Sequence, residues 1–489
     1  MKLNFKNTLL KTLFLGIFFQ LTIFPVAFGQ NKAEKINALM NLHNQYAQFN
    51  GSVLVVENGE VIYKKGLGLS NMEWNIPNQP NTKHRLGSIT KQFTSMLILQ
   101  LVEQGKISLD AKVSDYLPDY PKKTGNKITI HHLLTHSSGI PEFLMIPNFR
   151  KEKSRNSYSP TEFISFFADS PLQFSPGKEF SYSNSGYFLL GVIIEKVTGK
   201  PYEQVLQENI FTPLKMDNTG YDHHSLVLKN RASGYTKNGN EYRNAAFIDM
   251  SIPYAAGSLF STTEDLYLWD QALYTNQLLS EKTKALLFTP YVSAWDGGYG
   301  YGWHISKKTI GEKTDVKVIS HTGGINGFST FISRMPDQKN LIVLLNNVGG
   351  TELTNIGISL INILYNAPYE MPKKSLAELL METAMASGFE SSFNQFRELK
   401  NSDDYAIKEN EINNLGYQVL RMGKAKEAIE IFMLNVETFP KSWNTYDSLG
   451  EAYLINGNKE LAIKFYKKSV EINPNNTGGI SALSKLQKE

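Results

Sequence analysis

Ser88 and Lys91 stand three residues apart in Leu86-Gly87-Ser88-Ile89-Thr90-Lys91-Gln92-Phe93, at the mouth of an apolar run. On a helix three positions make close to one turn, so the hydroxyl and the amine project from one face within reach of each other. A serine hydroxyl beside an amine is an activatable nucleophile, provided burial and neighbours keep the lysine neutral enough to accept a proton. The residues that follow, among them Phe93, Met96, Leu97, Ile98, Leu99 and Leu101, are apolar nearly all round until Gly105. That pattern predicts a buried helix carrying a polar pair at its N-terminus.

The Ser-x-x-Lys spacing also occurs at Ser175-Pro176-Gly177-Lys178. Proline and glycine between the partners favour a turn, so Ser175 is read as a loop residue. Downstream, Tyr182-Ser183-Asn184 lies in a small-residue turn entering the apolar helix Phe188 to Val197. Tyr-x-Asn recurs at residues 242–244 and 274–276, so position rather than motif singles out Tyr182. A tyrosine there can serve as a base or as the acid that protonates a leaving group, and Asn184 can hold a lysine or a substrate amide. His321-Thr322-Gly323-Gly324 follows Val316-Lys317-Val318-Ile319-Ser320, at the end of a predicted strand. His321 could there donate to a substrate carboxylate or carbonyl, and the strand edge beyond it could pair with an extended substrate. His132 and His136 have the i, i+4 spacing of zinc ligands, but Leu133 takes the place of the glutamate in His-Glu-x-x-His and no third ligand is indicated. They are read as capping and packing a short helix.

The elements that position these groups are legible in part. Residues 33–49 predict a helix, and β-rich runs around Asn58-Gly59 predict a hairpin over 49–63. A second hairpin is expected where Phe328 to Arg334 and Leu341 to Asn346 flank Met335-Pro336-Asp337-Gln338-Lys339-Asn340. About five mostly antiparallel strands result, with helices at Thr263 to Tyr274 and Glu352 to Tyr365.

In that order, Ser88-x-x-Lys91, Tyr182-x-Asn184 and His321-Thr322-Gly323 resemble the three motifs of the penicillin-recognising serine hydrolases. The tyrosine points to the class C β-lactamase and D,D-carboxypeptidase branch. The resemblance covers roughly residues 31–366. It implies an α/β (α+β) β-lactamase-like fold, a mostly antiparallel sheet flanked by helices plus an all-helical part. It also implies acyl transfer to Ser88 and oxyanion donors at the backbone N–H groups of Ser88 and Gly324. It further implies catalytic roles for Lys91 and Tyr182, either of which could be the main base, substrate binding by Asn184, His321, Thr322, Gly323 and Gly324, and no metal or organic cofactor. Histidine at 321, where typical class C β-lactamases have lysine, implies weak or no β-lactamase activity. The expected substrates are D-amino-acid peptides or small esters and amides. A literal Lys123-Thr124-Gly125 precedes Tyr182 in a predicted loop and is no candidate for the strand motif. No Gly-x-Ser-x-Gly pentapeptide supports an α/β-hydrolase plan.

At 489 residues two or three domains are expected. From Asn413 the texture changes: Gly416, Gly423, Ala428, Phe432 and Pro440 recur 34 residues later as Gly450, Gly457, Ala462, Tyr466 and Pro474. That period resembles tetratricopeptide repeats. The expected plan is a signal peptide over 1–29, a hydrolase domain over 30–367, a helical linker over 368–408 and an all-α repeat domain over 409–489. The repeats would either dock a protein or peptide partner or only pack on the hydrolase. A scaffold or sensor that keeps the fold without turnover is the alternative to an enzyme.

Composition narrows the remaining choices. With 41% hydrophobic and 20% charged residues the chain is composed like a globular protein. Of its net charge of +4, Lys2, Lys6 and Lys11 lie in the leader, so the remainder carries only +1 and asks for no nucleic acid. The leader has a lysine-bearing start, an apolar stretch from Leu13 to Phe24, and Ala27-Phe28-Gly29 as a cleavage site. Gln20 and Pro25 interrupt the run, which argues against a permanent membrane anchor. Export to the periplasm or outside the cell is expected. With no cysteine, disulfides and a thiol nucleophile are excluded.

Overall fold

The computed structural model describes residues 24–239 and 241–487. The expected leader therefore lies largely outside the described residues. Contacts divide the chain into two units, one running to Tyr235 and resuming over Asn244–Met371, the other comprising Thr236–Arg243 and the residues from Pro372 onward.

The first unit is built on an eight-stranded sheet. Its first hairpin joins β1 (Gly51–Glu57) to β2 (Glu60–Leu67) through Asn58-Gly59, both at positive φ as a tight hairpin turn requires. The remaining strands are β3 (Val292–Ala294), β4 (Gly297–Tyr299), β5 (His304–Ile310), β6 (Lys313–Ile325), β7 (Phe328–Met335) and β8 (Asn340–Asn346). Their spatial order is β3-β4-β5-β6-β7-β8-β1-β2, and every pairing is antiparallel. The sheet is thus larger than the five strands expected, because β3, β4 and β5 were not legible as strands.

Both faces of the central strands are buried. Leu54 and Val56 of β1, with Leu341, Val343 and Leu345 of β8, join a core that includes α2 (Thr90–Glu103), α3 (Asn184–Thr198) and α4 (Thr263–Ala272). Val53, Val55, Ile342 and Leu344 point the other way, against α1 (Phe24–Gln45) and α5 (Leu353–Leu364). The period-two alternation of strands places successive residues on opposite layers, so these runs are apolar throughout. α2 is buried along most of its length, from Thr90 to Leu99, and is the central helix that carries the serine.

The second unit is helical: α6 (Leu376–Ser387), α7 (Phe389–Leu399), α8 (Glu409–Arg421), α9 (Ala425–Thr438), α10 (Trp443–Ile455), α11 (Lys459–Ile472) and α12 (Thr477–Leu486). Residues 376–399, within the expected helical linker and among the helices that could complete a stack of only two repeats, are the first helix pair of the stack. Leu376, Leu380, Phe393 and Phe396 share one core with Ile412, Leu415, Val419 and Phe432. The recurring glycines have a steric reason. A Cβ on Gly416 would lie 2.5 Å from the Phe432 ring, and one on Gly450 would lie 3.1 Å from the Tyr466 ring. Gly423 and Gly457 follow their helices at φ +77° and +81°, the left-handed exit that glycine adopts without penalty.

Candidate active site

Ser88 sits in a single 3₁₀ turn, Gly87–Ile89, that runs directly into α2. Gly87 has φ +55°, and a Cβ there would come within 2.8 Å of the Gly324 nitrogen. A Cβ on Gly323 would lie 2.0 Å from the Leu86 carbonyl oxygen, which itself accepts a hydrogen bond from Thr330 Oγ1 at 2.7 Å. Glycine on both sides lets the serine turn press against β6, bringing the backbone of Ser88 beside that of Gly324. Thr322 and Gly324 are exposed on this strand, and no atom stands within 4 Å of where a Gly324 Cβ would be. Pairing with β5 ends at His304–Ser320, so β6 from His321 onward has an open edge on that side.

Lys91 lies one turn beyond Ser88 and is fully enclosed, with 0% exposure. Its Nζ is 2.8 Å from Asn184 Oδ1, 2.9 Å from the Ala256 carbonyl oxygen and 3.0 Å from Ser88 Oγ. The first two partners can only accept, so they take two N–H groups whatever the protonation state. The third direction faces a hydroxyl, which accepts from an ammonium or donates to the lone pair of a neutral amine. Burial lowers the Lys91 pKa to about 7, an effect partly opposed by the charge of Glu142. Near neutral pH a substantial fraction of the amine is therefore ready to take the Ser88 proton.

Asn184 begins α3, capped by Ser183, whose Oγ accepts from the Gly186 N–H at 3.3 Å. Its amide orientation is set by Glu142, which accepts from both the Asn184 backbone N–H and, at 3.1 Å, the Nδ2 group. The carbonyl end is thereby turned to Lys91. Tyr182 lies beside this cluster, its ring centroid 4.8 Å from Lys91 Nζ. Ser88 is near enough to act on the phenol, yet the buried Tyr182 oxygen completes no hydrogen bond. Burial pushes its pKa far above that of free tyrosine, so the group is a protonated donor rather than a phenolate.

His321 departs from its expected role. It is 6% exposed and lies well inside the 13-residue β6, not at its end, and both ring nitrogens are engaged by the protein. Nδ1 must donate to the Thr322 carbonyl at 2.6 Å, so Nε2 accepts from the Tyr299 hydroxyl at 2.9 Å. The Tyr299 oxygen in turn faces His136 Nε2 at 3.3 Å, and His136 Nδ1 accepts from the Ser183 N–H at 3.0 Å. Every link of this chain has one sense, and His136 packs on Tyr182 with ring centroids 4.1 Å apart. Burial drives the His321 pKa down to about 3, and that of His136 well below its usual value. His321 thus presents no donor to substrate in this arrangement; it completes a neutral wall behind Tyr182.

The remaining sequence candidates separate cleanly. Ser175 and Lys178 form an exposed turn in which the Lys178 N–H donates to the Ser175 carbonyl at 3.1 Å. Lys123-Thr124-Gly125 belongs to a helical turn, Lys122–Gly125, not the loop expected, and to no strand. His132 Nδ1 accepts from the Thr129 N–H at 3.2 Å as part of a capping box on Ile130–Leu134. His136 has the site role just described, which sequence reasoning missed together with those of Glu142, Tyr299 and the Ala256 carbonyl. Among the described residues no three His, Cys, Asp or Glu side chains are grouped to hold a metal ion.

A family model described as Beta-lactamase matches residues 34–360, about two thirds of the chain. The chain belongs to the beta-lactamase family. A tetratricopeptide repeat model matches residues 444–476. The chain is 30% identical over 389 residues to penicillin-binding protein 4* of Bacillus subtilis, covering 74% of this chain and 83% of that one. Its structure is similar to a penicillin binding protein from Bacillus halodurans, with a TM-score of 0.58 and 27% identity over 67% of this chain and 97% of the other. The D-amino acid amidase from Ochrobactrum anthropi SV3 is similar with a TM-score of 0.58 and 25% identity, over 69% and 97%. In this beta-lactamase family, generally one of serine hydrolases, the chain carries a penicillin-binding-protein-like hydrolase fold followed by helical repeats.

Proposed function

We propose that this protein is an exported serine hydrolase that forms an acyl-enzyme on Ser88 and acts on D-amino-acid peptides or small amides and esters. The observation that carries the reading is the coordination of Lys91. Two carbonyl oxygens hold two of its N–H groups, the third direction meets Ser88 Oγ at 3.0 Å, and burial keeps its pKa near 7. A general base poised near the working pH combines a useful neutral fraction with useful basicity.

In the acylation step Ser88 Oγ bonds to the substrate carbonyl carbon while its proton passes to Lys91 Nζ. The resulting oxyanion is received by the N–H groups of Ser88 and Gly324, whose backbones the glycine contacts bring together. The carbon–nitrogen or carbon–oxygen bond then breaks, and the leaving group takes a proton from the Tyr182 hydroxyl, which the Lys91 ammonium replaces. Water reverses the sequence on the acyl-enzyme, releasing the acid and restoring Ser88. Asn184, held by Glu142, keeps the lysine in register throughout.

The named relatives support this substrate class, being penicillin-binding proteins and a D-amino acid amidase. A neutral His321 with both nitrogens engaged supplies no cation for a β-lactam carboxylate, which supports weak or absent β-lactamase activity. Export is supported by the leader-like residues 1–29, and no helix among the described residues is long and apolar enough to cross a membrane. The helical repeats are proposed to dock a protein or peptide partner.

The test is turnover of D-alaninamide and of a chromogenic ester, with labelling by a fluorescent penicillin as a covalent readout. Ser88→Ala should lower turnover by about 10³-fold or more and abolish labelling, and the adduct should map to the peptide containing Ser88. Turnover unchanged in Ser88→Ala would overturn the assignment.

A further inference from the structure

Trp295 is 68% exposed although it stands in an aromatic cluster beside Tyr182. It occupies the first position of the two-residue turn between β3 and β4, where Ala294 pairs with Gly297. Its φ of +51° is one that large side chains avoid and that glycine or asparagine usually supplies in tight hairpins. An exposed indole at such a position gains little burial in return for an unfavourable backbone, and strain of this kind gathers at functional sites.

The surrounding structure holds the indole in place. Asp296 pairs with Lys308, tying the turn to β5, and lies 3.3 Å from His304 Nε2. A Cβ on Gly297 would meet the Ile305 carbonyl oxygen at 2.3 Å, so only glycine lets β4 lie this close to β5. The Trp295 ring centroid is 5.2 Å from Phe180, edge to face, 5.5 Å from His304, 6.2 Å from Tyr299 and 6.4 Å from Tyr182. Phe180 and Tyr182 are themselves partly exposed. The rings therefore make a continuous aromatic surface that ends at the residue next to Ser88.

The sheet shows which part of a substrate would meet that surface. The open edge of β6 beyond Ser320 faces the side on which β5, β4 and β3 lie. An extended acyl group paired along that edge would lie on the side of β6 where the β3–β4 turn stands, which makes the acyl part of a substrate the part placed beside the aromatic surface.

We infer that Trp295, with Phe180 and the exposed part of the Tyr182 ring, forms a subsite for an aromatic side chain on the acyl group of the substrate. This deepens the acyl-enzyme reading and rests on it. Offset or edge-on stacking between rings is the favoured geometry for such a contact, and one ring on each side suffices. The flanking Asp296 and Lys308 are occupied with each other, so the surface offers an aromatic group stacking area rather than the polar ring of contacts a sugar would use.

The experiment compares D-phenylalanine methyl ester with D-alanine methyl ester, which share methanol as leaving group, in the wild type and in Trp295→Gly. The expected wild-type preference in kcat/KM for the phenylalanine ester is about ten-fold or more, falling to near parity in the variant. Because glycine suits the positive φ, Trp295→Gly should fold with an unchanged or higher Tm. A preference that persists in Trp295→Gly overturns the subsite. So does loss of preference that appears only with a lowered Tm and is restored by Trp295→Asn, since that would make the indole a turn-former. A variant that instead loses activity only on a disaccharide-bearing peptide would assign the indole to sugar and overturn the aromatic reading. Calorimetric binding of the two esters to Ser88→Ala separates the two levels of inference. Tighter binding of the phenylalanine ester that needs Trp295, with no wild-type turnover, would retain the subsite and overturn the hydrolase reading.

Discussion

Lys91 and Gly416 are both enclosed in the interior, for opposite reasons. At Lys91 an amine has been taken out of water and set among carbonyl oxygens, which depresses its pKa and costs stability. At Gly416 a side chain has been removed so that the Phe432 ring can fill the space, which adds packing between paired helices. The hydrolase site spends interior volume on polar groups with assigned partners, whereas the repeats use theirs for contact. A residue that violates the rules of burial points to chemistry, and one that obeys them at close tolerance points to architecture.

Each side of this contrast can be broken separately. The largest effect is expected at Lys91→Met, which removes the base while keeping much of the volume; kcat/KM should fall by about 10³- to 10⁴-fold with the fold retained by circular dichroism. In the wild type, log kcat/KM should rise with pH through about 7, since the amine must be neutral to accept the serine proton. A flat profile between pH 5.5 and 8.5 would remove Lys91 from that role.

Tyr182→Phe deletes a buried hydroxyl that completes no hydrogen bond, so it should lower kcat by about 10²-fold while leaving Tm unchanged or raised. The effect should be greater on amides than on esters with good leaving groups, which need less protonation. Glu142→Gln should cost less, about ten-fold. It also carries a sign: the Glu142 charge holds the lysine pKa up, so its removal should move the pH–rate inflection to lower pH. An inflection that does not move, or moves upward, would remove the Glu142 charge from the tuning of Lys91.

The smallest effects belong to the repeats, where Gly416→Ala should lower the stability of the helical unit by about 1–3 kcal/mol. Gly450→Ala should cost less, because its added carbon would meet Tyr466 at 3.1 Å rather than the 2.5 Å found at Phe432. Thermal unfolding of the two variants, followed by tryptophan and far-ultraviolet signals, ranks them directly. Equal losses would show that the helices shift to absorb the difference.

The parts of the fold that sequence revealed are those with a local signal. Asn58-Gly59 between β-rich runs marks a hairpin, and the 34-residue recurrence marks helix pairs. The strands β3 and β4 escaped notice because Val292-Ser293-Ala294 and Gly297-Gly298 have no alternation to detect, and β5 because the polar run Ser306-Lys307-Lys308-Thr309 interrupts its apolar spacing. Their stability comes from pairing with β6 and with one another. Two repeats seldom bury enough by themselves, so the helices at 376–399 or the last one at 480–486 were legible as completing the stack; that 376–399 joins it is decided by the core shared with Ile412 and Phe432.

For this protein, the sequence by itself determined the order of its motifs, the turn chemistry that separates Ser88 from Ser175, and the phase of the repeats. Each of these depends on residue identities within a few positions of one another or on a strict period. Only the tertiary structure decided what surrounds Lys91. The Ala256 carbonyl that holds it is 165 residues away and, being backbone, has no identity in sequence. Glu142 orients Asn184 across 42 residues, and Tyr299 turns His321 inward across 22. Protonation follows from such surroundings because charge is priced by the local dielectric and by nearby partners, and neither exists until the chain has folded.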